Sequence, residues 1–400
     1  MGTAGDLRLV IAGGGTGGHL YPGIAVAEVA QARLAARILF MGGARLEARV
    51  LGPAGWAFVR VASRPLPRRV GPAAIWSLGV NAAGTLQALG RLRRFSPDAV
   101  LATGGYAAAP VGLAALLLGI PLVLQEQNML PGLVNTWLAR WARAISVPAQ
   151  VPGFPAGRTV VTGVPVRPSV LRGERDRARR RFGLDSGRFT VLVLGGSQGA
   201  VRLNRAVGEA ATLMMYEPIQ ILHQTGGDHL EWVRREIGHR EHVGPPVIRQ
   251  IPLAFIEEMG DAYAAADLVV CRAGASTLAE VTAWGLPAIV VPYPHAAGRH
   301  QDANASRLAA AGAAEVIPDA ELTGLRLQEH IRGLVHDRVR LRAMAEASRR
   351  LGRPAAAARV LDLLLAATGR SPLEPAASSG APGSSGRRSG RVLPATRLPG

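Results

Sequence analysis

Lysine is absent from this 400-residue chain, and all 46 basic residues are arginine. Set against 28 acidic residues they give a formal net charge of +18. Arginine without lysine, beside abundant Ala and Gly, reads as a composition-wide bias, so the charge alone does not argue for a nucleic-acid partner. Aromatics are only 4% of the chain, and neither an RNA-stacking signature nor a Cys/His metal spacing accompanies the arginines; no nucleic acid is expected as a partner. Cysteine occurs once, as Cys271, which excludes an intrachain disulfide and fits a reducing compartment. Long hydrophobic runs are scarce. The greasiest stretch, Ala107–Leu124, is broken by Pro110, Gly112, Gly119 and Pro121. It reads as a buried helix (Val111–Leu118), a turn and a short strand (Leu122–Leu124) rather than a membrane span. The start of the chain carries Asp6 and Arg8 around a short apolar run, unlike a signal peptide, and Asp6 stands where myristoylation needs Ser or Thr. A soluble or peripheral protein is expected.

Glycine, by contrast, is plentiful at 49 residues, and two clusters carry information. The first, GGGTGGHLYPG (Gly13 to Gly23), follows the apolar run Leu7–Ala12; the second, GGSQGA (Gly195 to Ala200), follows Thr190–Leu194. Each reads as strand, tight turn and helix, the helices being Ile24–Ala36 and Val201–Met215. Glycines there permit positive φ and close backbone approach to a ligand, and the next helix offers unpaired N–H groups to an anion. One such loop is often only a tight connection. Two, one in each half, indicate an α/β fold with two Rossmann-like domains whose parallel sheets face each other across a cleft.

Length and a 48% hydrophobic fraction suit two domains. Strand candidates in the first half are Leu7–Ala12, Ile38–Met41, Phe58–Val61, Ala99–Ala102, Leu122–Gln125 and Ala144–Val147. In the second they are Thr190–Leu194, Ile219–Gln224, Val247–Gln250, Leu268–Cys271, Ala288–Pro292 and Glu315–Ile317. The Pro/Gly-rich Ser146–Pro168 marks the junction, so the expected division is 1–163 and 164–348, with a helix near 349–367 completing the first domain. Residues 370–400, dominated by Ser, Gly, Pro and Arg, read as a disordered tail.

Several short motifs occur in a telling order: GGGTGGHLYPG, TGGY (Thr103–Tyr106), EQN (Glu126–Asn128), GVPVR (Gly163–Arg167), GGSQGA, RAGASTLAE (Arg272–Glu280) and HQ (His300–Gln301). Together they resemble the MurG family of GT-B glycosyltransferases over about residues 7 to 365. The resemblance implies transfer of N-acetylglucosamine from UDP-GlcNAc to the MurNAc C4 hydroxyl of lipid I, giving lipid II with inversion at the anomeric carbon. It implies no cofactor and no metal, and no Asp-x-Asp stands near either loop. Helix N-termini and an arginine would compensate the diphosphate instead.

The resemblance also assigns residues. In the second domain, Glu280 would accept from both ribose hydroxyls, as an acceptor-only carboxylate can. Ala275, Ser276, Thr277, Leu278 and Ala279 would open a helix toward the diphosphate, Ser197 would contact the donor, Ile256 would read uracil through its backbone, and Gln301 would join the donor site. In the first domain, Thr16, Gly17 and Gly18 would touch the donor, Asn128 the GlcNAc, Arg167 the donor near the junction, and Tyr106 the acceptor. Two groups compete for the catalytic base. His19 has an imidazole suited to neutral pH; Glu126 follows an apolar strand, where burial would raise its pKa. Two positions depart from the family: Gln125 stands where His is frequent, and His300 where some relatives have Gln.

The implied acceptor is a polyprenyl lipid. From Ala48 to Pro97 the chain has arginines at 49, 60, 64, 68, 69, 91, 93 and 94 and no acid. Arg68, Arg69, Arg91 and Arg93, around Ile75, Trp76 and Leu78, suit an anionic membrane surface. The expected location is therefore peripheral, on the cytoplasmic face of the inner membrane, with other cell-wall and division proteins as further partners. Alternatives are another GT-B lipid glycosyltransferase, a UDP-GlcNAc 2-epimerase and a non-catalytic UDP-sugar-binding module. A dinucleotide oxidoreductase lacks its acidic ribose partner, because Gly42 and Gly43 follow the second strand.

Overall fold

The computed structural model describes residues 7–43, 46–65, 72–243 and 247–372. Arg68, Arg69 and nearly all of the expected tail lie outside them.

Two all-parallel sheets form the frame. The first has seven strands: β1 (Arg8–Gly13), β2 (Arg37–Gly42), β3 (Ala57–Arg60), β4 (Ala99–Gly104), β5 (Leu122–Gln125), β6 (Ala144–Val147) and β7 (Thr159–Val161). Their spatial order is β3-β2-β1-β4-β5-β6-β7. The second holds β8 (Phe189–Leu194), β9 (Ile219–Gln224), β10 (Arg249–Leu253), β11 (Leu268–Arg272), β12 (Ala288–Val291) and β13 (Ala314–Val316), ordered β10-β9-β8-β11-β12-β13. The strands are continuous apolar runs because helices cover both faces. In β1, Val10 and Ala12 join one core cluster while Leu9 and Ile11 join another.

The helices of the first half are α1 (Gly17–Leu34), α2 (Leu46–Leu51), α3 (Pro72–Phe95), α4 (Ala108–Leu117) and α5 (Leu133–Leu138). Those of the second are α6 (Arg175–Phe182), α7 (Val201–Leu213), α8 (Leu230–Val243), α9 (Met259–Ala265), α10 (Ala275–Trp284), α11 (His300–Ala310), α12 (Gly324–His336) and α13 (Arg338–Leu351). A last helix, α14 (Ala356–Ala367), returns to the first half and packs on α1 through Val360, Leu361, Leu364 and Leu365, all buried.

Strand order reverses between β1 and β4, and again between β8 and β11. At such a switch point the loops leaving the two strands diverge and open a crevice. The first glycine loop leaves β1 and TGGY leaves β4; GGSQGA leaves β8 and RAGAS leaves β11. Topology thus pairs motifs that lie far apart in sequence.

Three elements differ from expectation. β7 has no counterpart among the expected strands, since its three residues sit inside the Pro/Gly-rich junction. α1 starts at Gly17 rather than Ile24, so the glycine loop itself supplies its first turn despite Gly18 and Pro22. β10 runs from Arg249 to Leu253 through Pro252, which an edge strand tolerates because one side of its ladder is unpaired. Among the described residues no helix is long and apolar enough to cross a membrane.

Candidate active site

The loop after β1 and the turn after β4 approach more closely than side chains permit. A Cβ on Gly13 would sit 2.0 Å from Thr103 Oγ1, and one on Gly105 would sit 2.4 Å from the Gly14 carbonyl oxygen. Thr16 caps α1 in an extended conformation without a side-chain bond, and among the described residues no side chain takes the amides of the first turn, where Gly17 and Gly18 lie. His19 sits in that turn with Nδ1 3.0 Å from the Thr103 carbonyl oxygen. The Gln127 side-chain nitrogen also touches Nδ1. These contacts require opposite tautomers. The Thr103 carbonyl can only accept, so its bond to the ring assigns the proton to Nδ1; Gln127 Nε2 shares the same carbonyl at 3.2 Å. Nδ1 therefore carries the proton and Nε2 is left as a bare acceptor. Burial holds the imidazole below its ordinary pKa, so it is neutral at pH 7.

His19 interacts electrostatically with Glu126 of its own half and with His300, the first residue of α11 in the other half. Sequence reasoning counted a second imidazole as lost at Gln125; the fold brings one in from across the cleft. Glu47 was missed altogether. It lies beyond Gly42 and Gly43, but α2 folds it back so that Oε1 accepts from Gly15 N (2.8 Å) and Gly43 N (3.1 Å). Its Oε2 is buried without a hydrogen-bond partner.

Glu126 is buried, and its carboxylate is fully engaged. Oε1 accepts from Gln127 N (3.1 Å), Asn128 N (3.0 Å) and Asn128 Nδ2 (3.3 Å); Oε2 accepts from Gly132 N (3.0 Å) and Asn135 Nδ2 (2.9 Å). Five donors on one carboxylate shape the loop leading into α5. Asn128 in turn reaches the second half: its Oδ1 accepts from Asn304 Nδ2 at 3.2 Å, while Asn304 Oδ1 accepts from Met129 N at 3.0 Å. Asn304, one turn along α11 from Gln301, is a domain-bridging residue that the motifs did not single out.

In the second half α10 begins at Ala275, capped by Gly274 with no side-chain bond. Among the described residues no side chain takes its first-turn amides, and the hydroxyl of Ser276 is buried there without a partner. A buried polar group left unpaired costs free energy, and an uncapped helix end beside an orphan hydroxyl has the chemistry to accept an anionic oxygen. Leu278 is buried, Ala279 is partly buried against the core, and Glu280 completes the stretch. Tyr263 Oη donates to Glu280 Oε2 at 2.8 Å, and burial pushes the Glu280 carboxyl up to about 7.

Ser197 is exposed in the GGSQGA turn and does not cap α7, whose N-cap is Ala200. Ile256 is buried and its N–H is taken by Gln224 Oε1 at 3.0 Å, which leaves its carbonyl. Gln301 Oε1 accepts from Tyr293 N at 2.9 Å. Arg167 stacks over the Tyr21 ring of α1, 4.9 Å from its centroid, and its Nε is buried without a partner. Tyr106 is exposed beside the first loop. Ile75, Trp76, Leu78, Arg91 and Arg93 do not enter the cleft; they are exposed on α3, a separate surface. Cys271 is buried in the core of the second half, and burial pushes its thiol up to about 12.

Residues 9–147 match the glycosyltransferase family 28 N-terminal domain, and residues 190–360 match the family 28 C-terminal domain. A Geobacter sulfurreducens protein named UDP-N-acetylglucosamine–N-acetylmuramyl-(pentapeptide) pyrophosphoryl-undecaprenol N-acetylglucosamine transferase is 41% identical over 368 residues, 90% of this chain and 99% of its own. The crystal structure of Acinetobacter baumannii MurG superposes with a TM-score of 0.71 at 31% identity, covering 90% of this chain and all of that one. The chain belongs to the MurG family. It is a glycosyltransferase. A UDP-GlcNAc 2-epimerase from Neisseria meningitidis, solved with UDP-GlcNAc bound, shares the fold at 14% identity with a TM-score of 0.61, covering 90% of this chain and all of that one. At that identity only the architecture is common, and the epimerase alternative loses its support.

Proposed function

We propose that this chain transfers N-acetylglucosamine from UDP-GlcNAc to the MurNAc C4 hydroxyl of undecaprenyl-pyrophosphoryl-MurNAc-pentapeptide (lipid I), with inversion, to give lipid II. The observation that carries the reading is the uncapped start of α10, with the orphan Ser276 hydroxyl and the Glu280 carboxylate in one half and a neutral imidazole in the other. UDP lies on the second half. Its ribose hydroxyls donate to Glu280, its diphosphate meets the α10 amides, Ser276, Ser197 and the unpaired Nε of Arg167, and its uracil bonds the Ile256 carbonyl. Asn128, Gln301 and the Thr16–Gly18 turn border the sugar.

His19 Nε2 takes the proton as the acceptor oxygen forms its bond to the anomeric carbon. The bond from that carbon to the UDP oxygen breaks on the opposite side, and the α10 amides and Arg167 stabilise the departing charge. Glu126 is a clamp in this scheme rather than the base, because five donors already hold it. Tyr106 borders the acceptor entrance.

The membrane assignment belongs to the same proposal: α3, with Arg68 and Arg69 preceding it, docks on anionic lipid at the cytoplasmic face. Residues 1–163 with α14 serve the acceptor, and 164–348 the donor. The decisive test is incubation with UDP-GlcNAc and a lipid I analogue, read as a disaccharide product with a β linkage; release of UDP with no such product would overturn the reading. Glu280→Ala should weaken donor binding in calorimetry by about 1.5–3 kcal/mol, the worth of a charge-assisted bond.

A further inference from the structure

Among the described residues Glu280 has one hydrogen-bond partner, and that partner is unusual. Tyr263, on α9, is only 1% exposed and ranks among the bulkiest fully buried side chains of the molecule. Its hydroxyl donates to Glu280 Oε2 at 2.8 Å; among the described residues Oε1 accepts no hydrogen bond. The ring belongs, with Val269, Cys271 and Val281, to the apolar core of the second half. A phenol so placed has no route to water, and burial raises its pKa well above the usual value, so it keeps its proton and can only offer it to the carboxylate.

We infer that Tyr263 is a positioning residue for the donor: its buried hydroxyl fixes one oxygen of Glu280 and leaves the other for the ribose. The inference rests on the ribose reading of Glu280. Without this bond the carboxylate would be free to turn about its side-chain dihedrals, and Oε2 would be a buried acceptor with no donor. A fixed carboxylate meets two adjacent hydroxyls at once; a loose one loses that entropy on each binding event.

The bond also sets the charge state. Groups around the carboxylate act in three directions. Burial raises its pKa, while the Tyr263 hydroxyl from α9 and the Arg167 guanidinium from the segment before α6 lower it. Arg167 is itself near Glu28 of α1, and Cys271 of β11 lies behind the phenol. On the remaining sides Arg307 of α11 borders the opposite face of α10, and Arg349 of α13 packs at its C-terminal end. Of these, only Tyr263 hydrogen-bonds the carboxylate. Removing its hydroxyl removes the one bond that favours the ionised form, so the carboxyl should titrate at higher pH than its present value of about 7.

The test is Tyr263→Phe, which keeps the ring in the core, measured by calorimetric UDP binding across pH 6–9 together with kcat and KM for UDP-GlcNAc. The expected result is a donor affinity about fivefold weaker at pH 7, corresponding to about one unit of alkaline shift in its midpoint, most of it recovered at pH 9, with kcat at saturating donor unchanged. Glu280→Ala and the double variant run in parallel. If Glu280→Ala weakens UDP binding but Tyr263→Phe leaves the pH midpoint in place, the positioning role is wrong and the ribose reading stands. If Glu280→Ala itself leaves UDP affinity intact, the ribose reading fails and the role of Tyr263 fails with it. If Tyr263→Phe weakens binding further in the Glu280→Ala background, the phenol acts through the fold rather than through the carboxylate, which also overturns the inference. Thermal unfolding of each variant shows that the fold persists.

Discussion

The two glycine loops look alike in sequence and are built on opposite electrostatic plans. The loop after β1 is backed by a carboxylate: Glu47 already takes the Gly15 amide, and a Cβ at Gly14 would lie 1.7 Å from its Oε1. The loop after β8 is backed by an uncharged imidazole, in a chain anchored on a buried arginine: Arg240 Nη2 donates to Gln250 Oε1 at 3.1 Å. Gln250 Nε2 donates to His223 Nδ1 (3.0 Å), so the proton is on Nε2, which donates to Asn204 Oδ1 (3.0 Å). Asn204 Nδ2 then holds the Thr225 carbonyl (2.8 Å), against which Gly199 packs. A Cβ at Gly196 would meet nothing within 4 Å. A fixed anion on a loop disfavours a diphosphate there, whereas an uncharged ring does not. The same G-rich signature therefore stands against a carboxylate in one half and against an uncharged ring in the other.

The sharpest way to break that contrast is His19→Ala. If the first loop exists to present a base rather than to hold donor phosphates, kcat should fall by roughly 10²–10⁴-fold, while UDP affinity changes little. An equal loss in donor Kd would make His19 a phosphate ligand and erase the division of labour. Glu126→Gln belongs beside it. The clamp reading expects a less stable loop and a smaller rate loss than His19→Ala, whereas a rate loss as deep as that of His19→Ala would restore the carboxylate as base.

A second contrast is steric. Gly14 sits at φ +142 against Glu47 and Gly196 at φ +87 in open space. Gly14→Ala combines backbone strain with displacement of a buried carboxylate and should lower unfolding stability by about 3 kcal/mol. Gly196→Ala carries the strain alone, about 1 kcal/mol. Equal losses in denaturant melts would mean that the loops are packed alike.

Much of this was legible in the sequence, and the reason is local. Twelve of the strands are short apolar runs between glycine or proline signals, and the motifs at their ends follow from β1, β4, β8 and β11 being neighbours in pairs. What escaped are contacts that depend on where a chain turns back. Glu47 is hidden because Gly42 and Gly43 suggested that no acid served the second strand, and only α2 reveals its return. His300 and Asn304 act across the cleft, and no spacing within one half encodes the face that the other half presents. Tyr263 reads as ordinary core by its periodicity, and only its hydroxyl says otherwise.

The neutral brace gives a pH test. Burial holds His223 down at about 3, so the unfolded chain binds the proton that the folded chain refuses. Stability from this residue is complete above its unfolded value near 6.5 and is lost as pH falls from there toward 3. At pH 5 the loss should be about 2 kcal/mol relative to pH 7.5. His223→Asn should start less stable at neutral pH but show a flatter decline between pH 7 and 5. An unchanged acid slope would mean that His223 is not held neutral, and the contrast between anionic and neutral braces would lose its second term.

The halves differ outside as well, and this yields the smallest effect. Ile75, Trp76, Leu78 and Leu86 are 59–70% exposed along the single helix α3, near the exposed Arg91 and Arg93. The second half scatters its exposed apolar side chains over separate elements, among them Leu213, Phe255, Leu325 and Val339. A contiguous apolar stripe with basic neighbours suits an interface, whereas isolated apolar side chains are ordinary surface. Replacing Arg91 and Arg93 by Ser should each weaken binding to anionic vesicles by about 1 kcal/mol, roughly 30-fold together at low salt, and should reduce the salt dependence. Adding Trp76→Ser should remove the part that salt leaves behind. Turnover of a short-chain soluble acceptor should stay near normal, because the exposed α3 side chains lie on a separate surface from His19. Vesicle binding that survives all three changes would make α3 a solvated face; soluble-acceptor turnover that falls with it would place α3 in the acceptor site instead.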